Sequence, residues 1–304
     1  MSASTLQNGS TVIGDRIVAR RSILALAVLE ARRLVSHPVL VLGLVAYVSS
    51  FPILFGFSYA DADFTGDPKA VGTYEWQAMG AFFVGLFGFV AANRIARSTS
   101  RTTGVVDVAP MSESRRSLAL CLAGLVPFAV TLLGNLLILT AWLVHPPVLA
   151  VGWAEVTMSE KLWVVATASL AGLGGPVLGV AVARWWRWPS ALAVSTVALV
   201  LWGASSALRD TNLALRLWHV SAPYTTPDYG DARSPVVWLG GSLEWRFAYV
   251  CGLIVLAVIA AVAHGTTGAS RRRLKRLALG SGMLTLLAYL LAVFAGPATR
   301  VLAP

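Results

Sequence analysis

The 304-residue chain is 57% hydrophobic and only 12% charged, with mean hydropathy +0.71 and a net charge of +10. Soluble domains run about 45–50% apolar and about 25% charged, so a soluble globule and a disordered chain are both excluded. The apolar residues fall in blocks of about 20, the length that crosses a bilayer core, and the backbone must then satisfy its own hydrogen bonds as helix. The sequence therefore predicts an all-α, polytopic integral membrane protein.

Residues 1–15 form a polar N-terminal tail. The stretch 16–37 is apolar but interrupted by arginines. Its Arg20-Arg21 pair faintly suggests a twin-arginine export signal, yet the apolar run lasts only from Ile23 to Leu29 before Glu30-Ala31-Arg32-Arg33 ends it. An export signal needs a longer core and a small-residue cleavage site. The stretch reads instead as a helix lying at the membrane interface, its arginines toward anionic headgroups. Residues 38–304 form one transmembrane domain. Its predicted spans are 38–57, 76–96, 117–144, 162–183, 190–208 and 247–264, with a seventh at 277–294.

Charge placement sets the orientation. With the N-terminus inside, 17 of the 24 basic residues fall on the inner side, including Arg94, Arg97, Arg115, Arg116 and the run Arg271–Arg276. Only 4 of the 14 acids join them, so the net charge is +13 inside and −3 outside. The basic excess thus follows the positive-inside rule and gives no reason to invoke nucleic acid. Trp76, Trp142, Trp163 and Trp245 mark outer span ends, and Trp185, Trp186 and Trp188 crowd an inner turn, as an interfacial belt should.

Several chemistries find no residues to carry them. No Asp, Glu, Lys or Arg falls deep within a predicted span, which disfavours proton- or sodium-coupled transport. Thr131, Asn135, Ser195 and Thr196 are polar at depth, a pattern that more often serves helix–helix hydrogen bonds. His37, His145, His219 and His264 show no metal-ligand spacing, and Cys121 and Cys251 lie inside apolar spans, so no metal or disulfide is expected. No GxxxxGK[ST] phosphate loop occurs, and no cofactor is expected in this chain. Work against a gradient would need energy from a partner.

The fourth span carries Gly175-Pro176-Val177-Leu178-Gly179, a small-xxx-small face that lets helices approach closely, with a proline that favours a kink. Gly175, Pro176 and Gly179 are read as residues of helix packing or flexing. The outer segment 209–244 is too long for a structureless loop and is expected to form an ordered cap. The inner loop 94–116 holds Val105–Ala109 between Gly104 and Pro110, followed by Glu113, Arg115 and Arg116. A short apolar helix offered there beside basic residues suits docking to another protein.

These last residues resemble a family. Leu29–Pro38 is similar to the elbow helix that enters the first span of type-2 ATP-binding-cassette (ABC) exporter permeases. The stretch 102–116, with Val108-Ala109-Pro110-Met111-Ser112 before a basic pair, resembles that family's loop between its second and third helices. The resemblance implies a permease subunit without its own ATPase, located in a bacterial cell membrane with its N-terminus cytoplasmic. Family members seat this loop, as a coupling helix, in a groove of a separate ATPase subunit that binds the ATP. It implies two such ATPase copies and a second permease copy or paralogue as partners, within membrane lipid. On this resemblance Asp107, Pro110 and Arg115 lie at the ATPase contact, and Arg32 and Arg33 on the elbow helix. The family usually has six spans, so the seventh is a departure. Two other readings stand beside it: an integral-membrane enzyme working through 209–244, and a non-transporting regulatory subunit.

Overall fold

The computed structural model describes residues 22–58, 79–101, 112–145, 156–206, 212–223, 236–238, 240–297 and 299–301. The described body is helical. Helix α1 (Ser22–Val35) meets α2 (Pro38–Ser58) at a bend of 67°. A π-helical segment, Gly80–Leu86, runs into α3 (Phe87–Arg101). Helices α4 (Glu113–Ala123) and α5 (Leu125–Val144) are separated only by Gly124. Then follow α6 (Met158–Trp185), α7 (Ala191–Ser206) and the short α8 (Leu213–Ser221). Helices α9 (Leu243–Ala263) and α10 (Gly268–Phe294) close the chain.

By length and composition, four helical stretches can cross a membrane: Glu113–Val144, Met158–Trp185, Leu243–Ala263 and Gly268–Phe294. The bent α1–α2 pair makes a fifth if it acts as one span, and α7 is a shorter apolar helix. Long apolar helices of this kind fit a multi-pass membrane protein. Their packing does too. On α10, Leu284, Leu286 and Leu287 point outward while Thr285, Ala288 and Ala292 are buried. Large apolar residues facing out and small ones facing in is the arrangement that lipid solvent favours.

Helix starts lie further out than the hydropathy blocks. Helix α6 begins four residues early because Thr157 and Glu160 form a capping box: Thr157 Oγ1 accepts from the Glu160 amide (3.2 Å) and Glu160 Oε2 from the Thr157 amide (2.8 Å). Helix α9 begins at Leu243 behind the Ser242 cap. Helix α10 extends back to Gly268, because its arginines are good helix formers and Arg271, Arg272 and Arg273 stay exposed to water. The all-α expectation misses one feature. A short antiparallel pair, β1 (Val236–Trp238) with β2 (Thr299–Val301), joins the segment before α9 to the one after α10.

Helix α6 is the central post. A Cβ built at Gly175 would overlap the Gly85 carbonyl oxygen, and one at Gly179 would overlap that of Phe89. The bare backbones of α6, the π segment and α3 are therefore in contact, and Asn93 Nδ2 adds a bond to the Gly179 carbonyl at 3.0 Å. Pro176 is buried in the same seam. On the side toward α2 and α5 a polar network crosses three helices. Tyr47 Oη donates to Asn135 Oδ1 (3.4 Å), Asn135 Nδ2 donates to Ser169 Oγ (3.0 Å), and Thr131 Oγ1 lies 3.0 Å from the Ser169 carbonyl. Thr131 and Asn135 thus bridge helices, whereas Ser195 and Thr196 bond back into α7 (2.7 and 2.8 Å).

Candidate functional site

Two features of this body could do chemistry or mechanics: a polar clasp at its arginine-rich end and an apolar cavity beside α6. The clasp is built from three helix ends. Arg184, in the last turn of α6, is 5% exposed. Its Nη1 lies 3.0 Å from Glu113 Oε1, and its Nε donates to Ser117 Oγ at 3.0 Å. Glu113 opens α4, so the carboxylate also sits favourably at a helix N-terminus. His264, just past α9, stands beside this pair, its Nδ1 3.4 Å from the same Glu113 oxygen without a hydrogen bond to it. Trp185 locks the corner by donating Nε1 to the Ala260 carbonyl (2.8 Å) with its ring edge-on to His264. The end of the predicted inner loop is therefore tied to α6, and through Trp185 to α9.

A second tie lies close by. Arg97 of α3 donates to the carbonyls of Trp186 (2.9 Å) and Trp188 (3.1 Å), which fixes the turn between α6 and α7. His37, at the bend between α1 and α2, accepts from the Val39 amide on Nδ1 (3.3 Å). Partial burial, with Arg94 adding to it, lowers its pKa.

The cavity measures about 400 Å³ and is almost wholly apolar. The π segment contributes Ala81, Phe82 and Gly85, and α6 contributes Leu170, Gly174 and Leu178. Its other walls are α7, through Val200 and Trp202, and α9, through Val250 and Ile254. Phe82 is 49% and Val200 38% exposed, so the cavity opens sideways between the π segment and α7. A π turn widens a helix and shifts its hydrogen-bond register, and such turns recur at functional sites. This one forms a cavity wall.

Helix α8 and the turn after it form a roof beside the cavity, meeting its lining at Pro223. Asn212 caps α8 by accepting from the Ala214 amide (2.9 Å). Tyr289 Oη then donates to the Leu217 carbonyl (2.7 Å), Tyr249 Oη to the Ser221 carbonyl (2.8 Å), and Trp202 Nε1 to Ser221 Oγ (3.0 Å). Arg216 Nη2 reaches the Gly296 carbonyl at 2.8 Å, and partial burial lowers the Arg216 pKa. Pro223, at the end of this roof, lines the cavity.

Of the residues singled out in the sequence, Asp107 and Pro110 lie outside the described residues. Arg115 is exposed on the first turn of α4, one turn from the clasp. Arg32 and Arg33 are exposed on α1, where Arg33 Nη1 pairs with Glu30 at 3.2 Å. Gly175 and Gly179 form the backbone seam, and Pro176 packs beside Gly88, where a Cβ would stand 2.9 Å from Pro176 Cγ. One expectation needs correcting. Trp142 is fully buried in an apolar cluster with Ile138 and Val164, so it does not belong to an interfacial belt. Buried charge does occur at helix ends, outside the predicted spans: Lys161, Arg184 and Arg246 are 8%, 5% and 3% exposed, in the first or last turns of α6 and α9. Sequence reasoning missed the clasp. The one available signal was that Glu113, Arg184 and His264 all fall at predicted inner span ends.

No protein-family model matches the chain, and neither curated proteins nor solved structures match it. Among the described residues, no group of three or more His, Cys, Asp or Glu could hold a metal ion.

Proposed function

We propose that the chain is the transmembrane permease subunit of an ATP-driven exporter of the type-2 ABC kind, moving apolar or amphipathic molecules through the bilayer. The carrying observation is the Glu113–Arg184 clasp, with Trp185 fastened to α9 beside it. It ties the end of the inner loop to α6 and α9, two of the helices that wall the apolar cavity. A push on the loop would thereby reach the cavity through rigid helices, without a relay of charges.

On this reading the arginine-rich end is cytoplasmic, by the positive-inside rule, in a bacterial plasma membrane. The chain crosses the membrane six times, with α10 as a seventh span, and α1 is the elbow helix carrying Arg32 and Arg33. The loop, through Asp107, Pro110 and Arg115, meets a separate ATPase subunit present in two copies, which binds ATP and performs the hydrolysis. A second permease copy completes the assembly.

The test is co-purification from native membranes. Charge reversal at Arg115 and Arg116, exposed and half-buried at the start of α4, is expected to abolish capture of an ATP-hydrolysing subunit while leaving the permease folded. Undiminished capture and hydrolysis with those substitutions would overturn the reading.

A further inference from the structure

Arg246 is a buried cation whose chemistry the proposed mechanics leave unused. It lies in the first turn of α9 and is 3% exposed. Its Nη2 makes one long bond, 3.4 Å, to the Ala222 carbonyl, while Nε and Nη1 are buried without a hydrogen-bond partner among the described residues. A guanidinium buried without an anion is among the costlier arrangements a protein can hold, since both desolvation and unmade hydrogen bonds count against it. Arg184, by contrast, has its carboxylate.

The position of Arg246 supplies the explanation. Val250 lies one turn further along α9, and Pro223 follows Ala222 directly. Both line the apolar cavity. The guanidinium thus lies beside the Pro223–Val250 side of a cavity about 400 Å³ in volume, just outside its lining, and the walls themselves offer almost nothing polar. A planar, permanently charged fork with free N–H groups matches a carboxylate or phosphate, and the apolar walls match an acyl chain.

We infer that the cavity with Arg246 is a binding site for an amphipathic anion: an acid or phosphate headgroup on the guanidinium, and its apolar tail between the π segment, α6 and α7. As a substrate class this rests on the permease reading; as a binding site it stands without it. The lateral opening between Phe82 and Val200 admits such a molecule from the lipid side.

The test uses the full chain in phosphatidylcholine nanodiscs without nucleotide, so its failure leaves the ATPase-capture experiment untouched. The probes are 12-bromododecanoate and the uncharged 12-bromododecanol, whose bromine quenches Trp202 in the cavity wall. The Trp202 signal is the difference between wild type and Trp202→Phe. The acid is expected to quench at lower concentration than the alcohol, and Arg246→Gln to raise the acid's midpoint about tenfold or more while leaving the alcohol's unchanged. Arg246→Lys, which keeps the charge and loses the fork, should fall between. Ala204→Phe, on the exposed side of the cavity lining, should block both probes and serves as the second variant if Arg246→Gln fails to fold. Adding phosphatidylglycerol to the discs separates two sources of the same chemistry: competition identifies a membrane lipid as occupant, and no competition identifies a free amphiphile. Equal midpoints for acid and alcohol, an acid midpoint indifferent to Arg246→Gln, or quenching that survives Ala204→Phe would overturn the inference.

Discussion

Arg184 and Arg246 lie at opposite ends of the same helical body, each buried near a helix terminus, and they are held in opposite ways. Arg184 has a carboxylate at 3.0 Å and a hydroxyl at 3.0 Å, with the His264 ring 3.4 Å from that carboxylate. Arg246 has one distant carbonyl. The first is a finished interaction that joins two helix ends. The second is unfinished among the described residues. The contrast separates what the fold uses to hold itself together from what it keeps available for something else.

That contrast presupposes a stiff body between the two ends, and the largest expected effect comes from breaking it. Gly175→Val drives a branched side chain into the Gly85 backbone, where no flexible atom can yield. A loss of about 3 kcal/mol or more is expected, read as a collapse of the detergent melting temperature. Gly174→Ala, whose new methyl would sit 3.4 Å from Ile254, should cost little. Equal damage from both would remove the seam from the account.

Next comes the clasp. Glu113→Ala leaves the buried Arg184 without its counter-charge. A fully buried broken pair costs about 3–5 kcal/mol, but the Glu113 side chain is 42% exposed, so about 2 kcal/mol is expected. Arg246→Met should do the reverse. Replacing an unpartnered buried cation by an apolar chain of similar length is expected to raise stability by about 1 kcal/mol or leave it unchanged. A clear loss with Arg246→Met would show that Arg246 is structural and erase the difference between the two arginines.

The smallest effect is a pH dependence at His37. Its pKa is lowered in the folded chain by burial and Arg94, so the neutral form is favoured there. The associated stability is fully present above the ordinary value near 6.5 and is lost as pH falls through the folded pKa. Melting temperature should therefore decline slightly on acidification below that value, and His37→Gln should flatten that decline.

Much of the helical layout was legible because hydropathy blocks report burial in lipid directly. The predicted 38–57, 162–183 and 190–208 spans correspond to α2, α6 and α7 within a few residues. Helix ends were less legible, because they are decided by caps and solvated charge. Ser242 starts α9 before its apolar run, and the arginines of 271–276 extend α10 into water. The Ser242 cap draws Arg246 from an expected outer flank into a buried first turn. The π segment left no signature beyond Gly80 and Gly85, since a shift in backbone register depends on what packs against it. The clasp brings together residues 113, 184 and 264, a convergence that no local pattern encodes. The cavity is likewise a property of how four elements fail to meet, not of any one of them.

The central claim is that nucleotide binding by a partner moves the cavity walls through the clasp. Spin labels at Phe82→Cys and Val200→Cys, with Cys121 and Cys251 replaced by serine, would report the width of the cavity mouth in the complex purified from native membranes. The expected result is a distance distribution that shifts when a non-hydrolysable ATP analogue is added, and that no longer shifts once Glu113→Ala releases the clasp. Identical distributions with and without the analogue in the clasped complex would contradict the account.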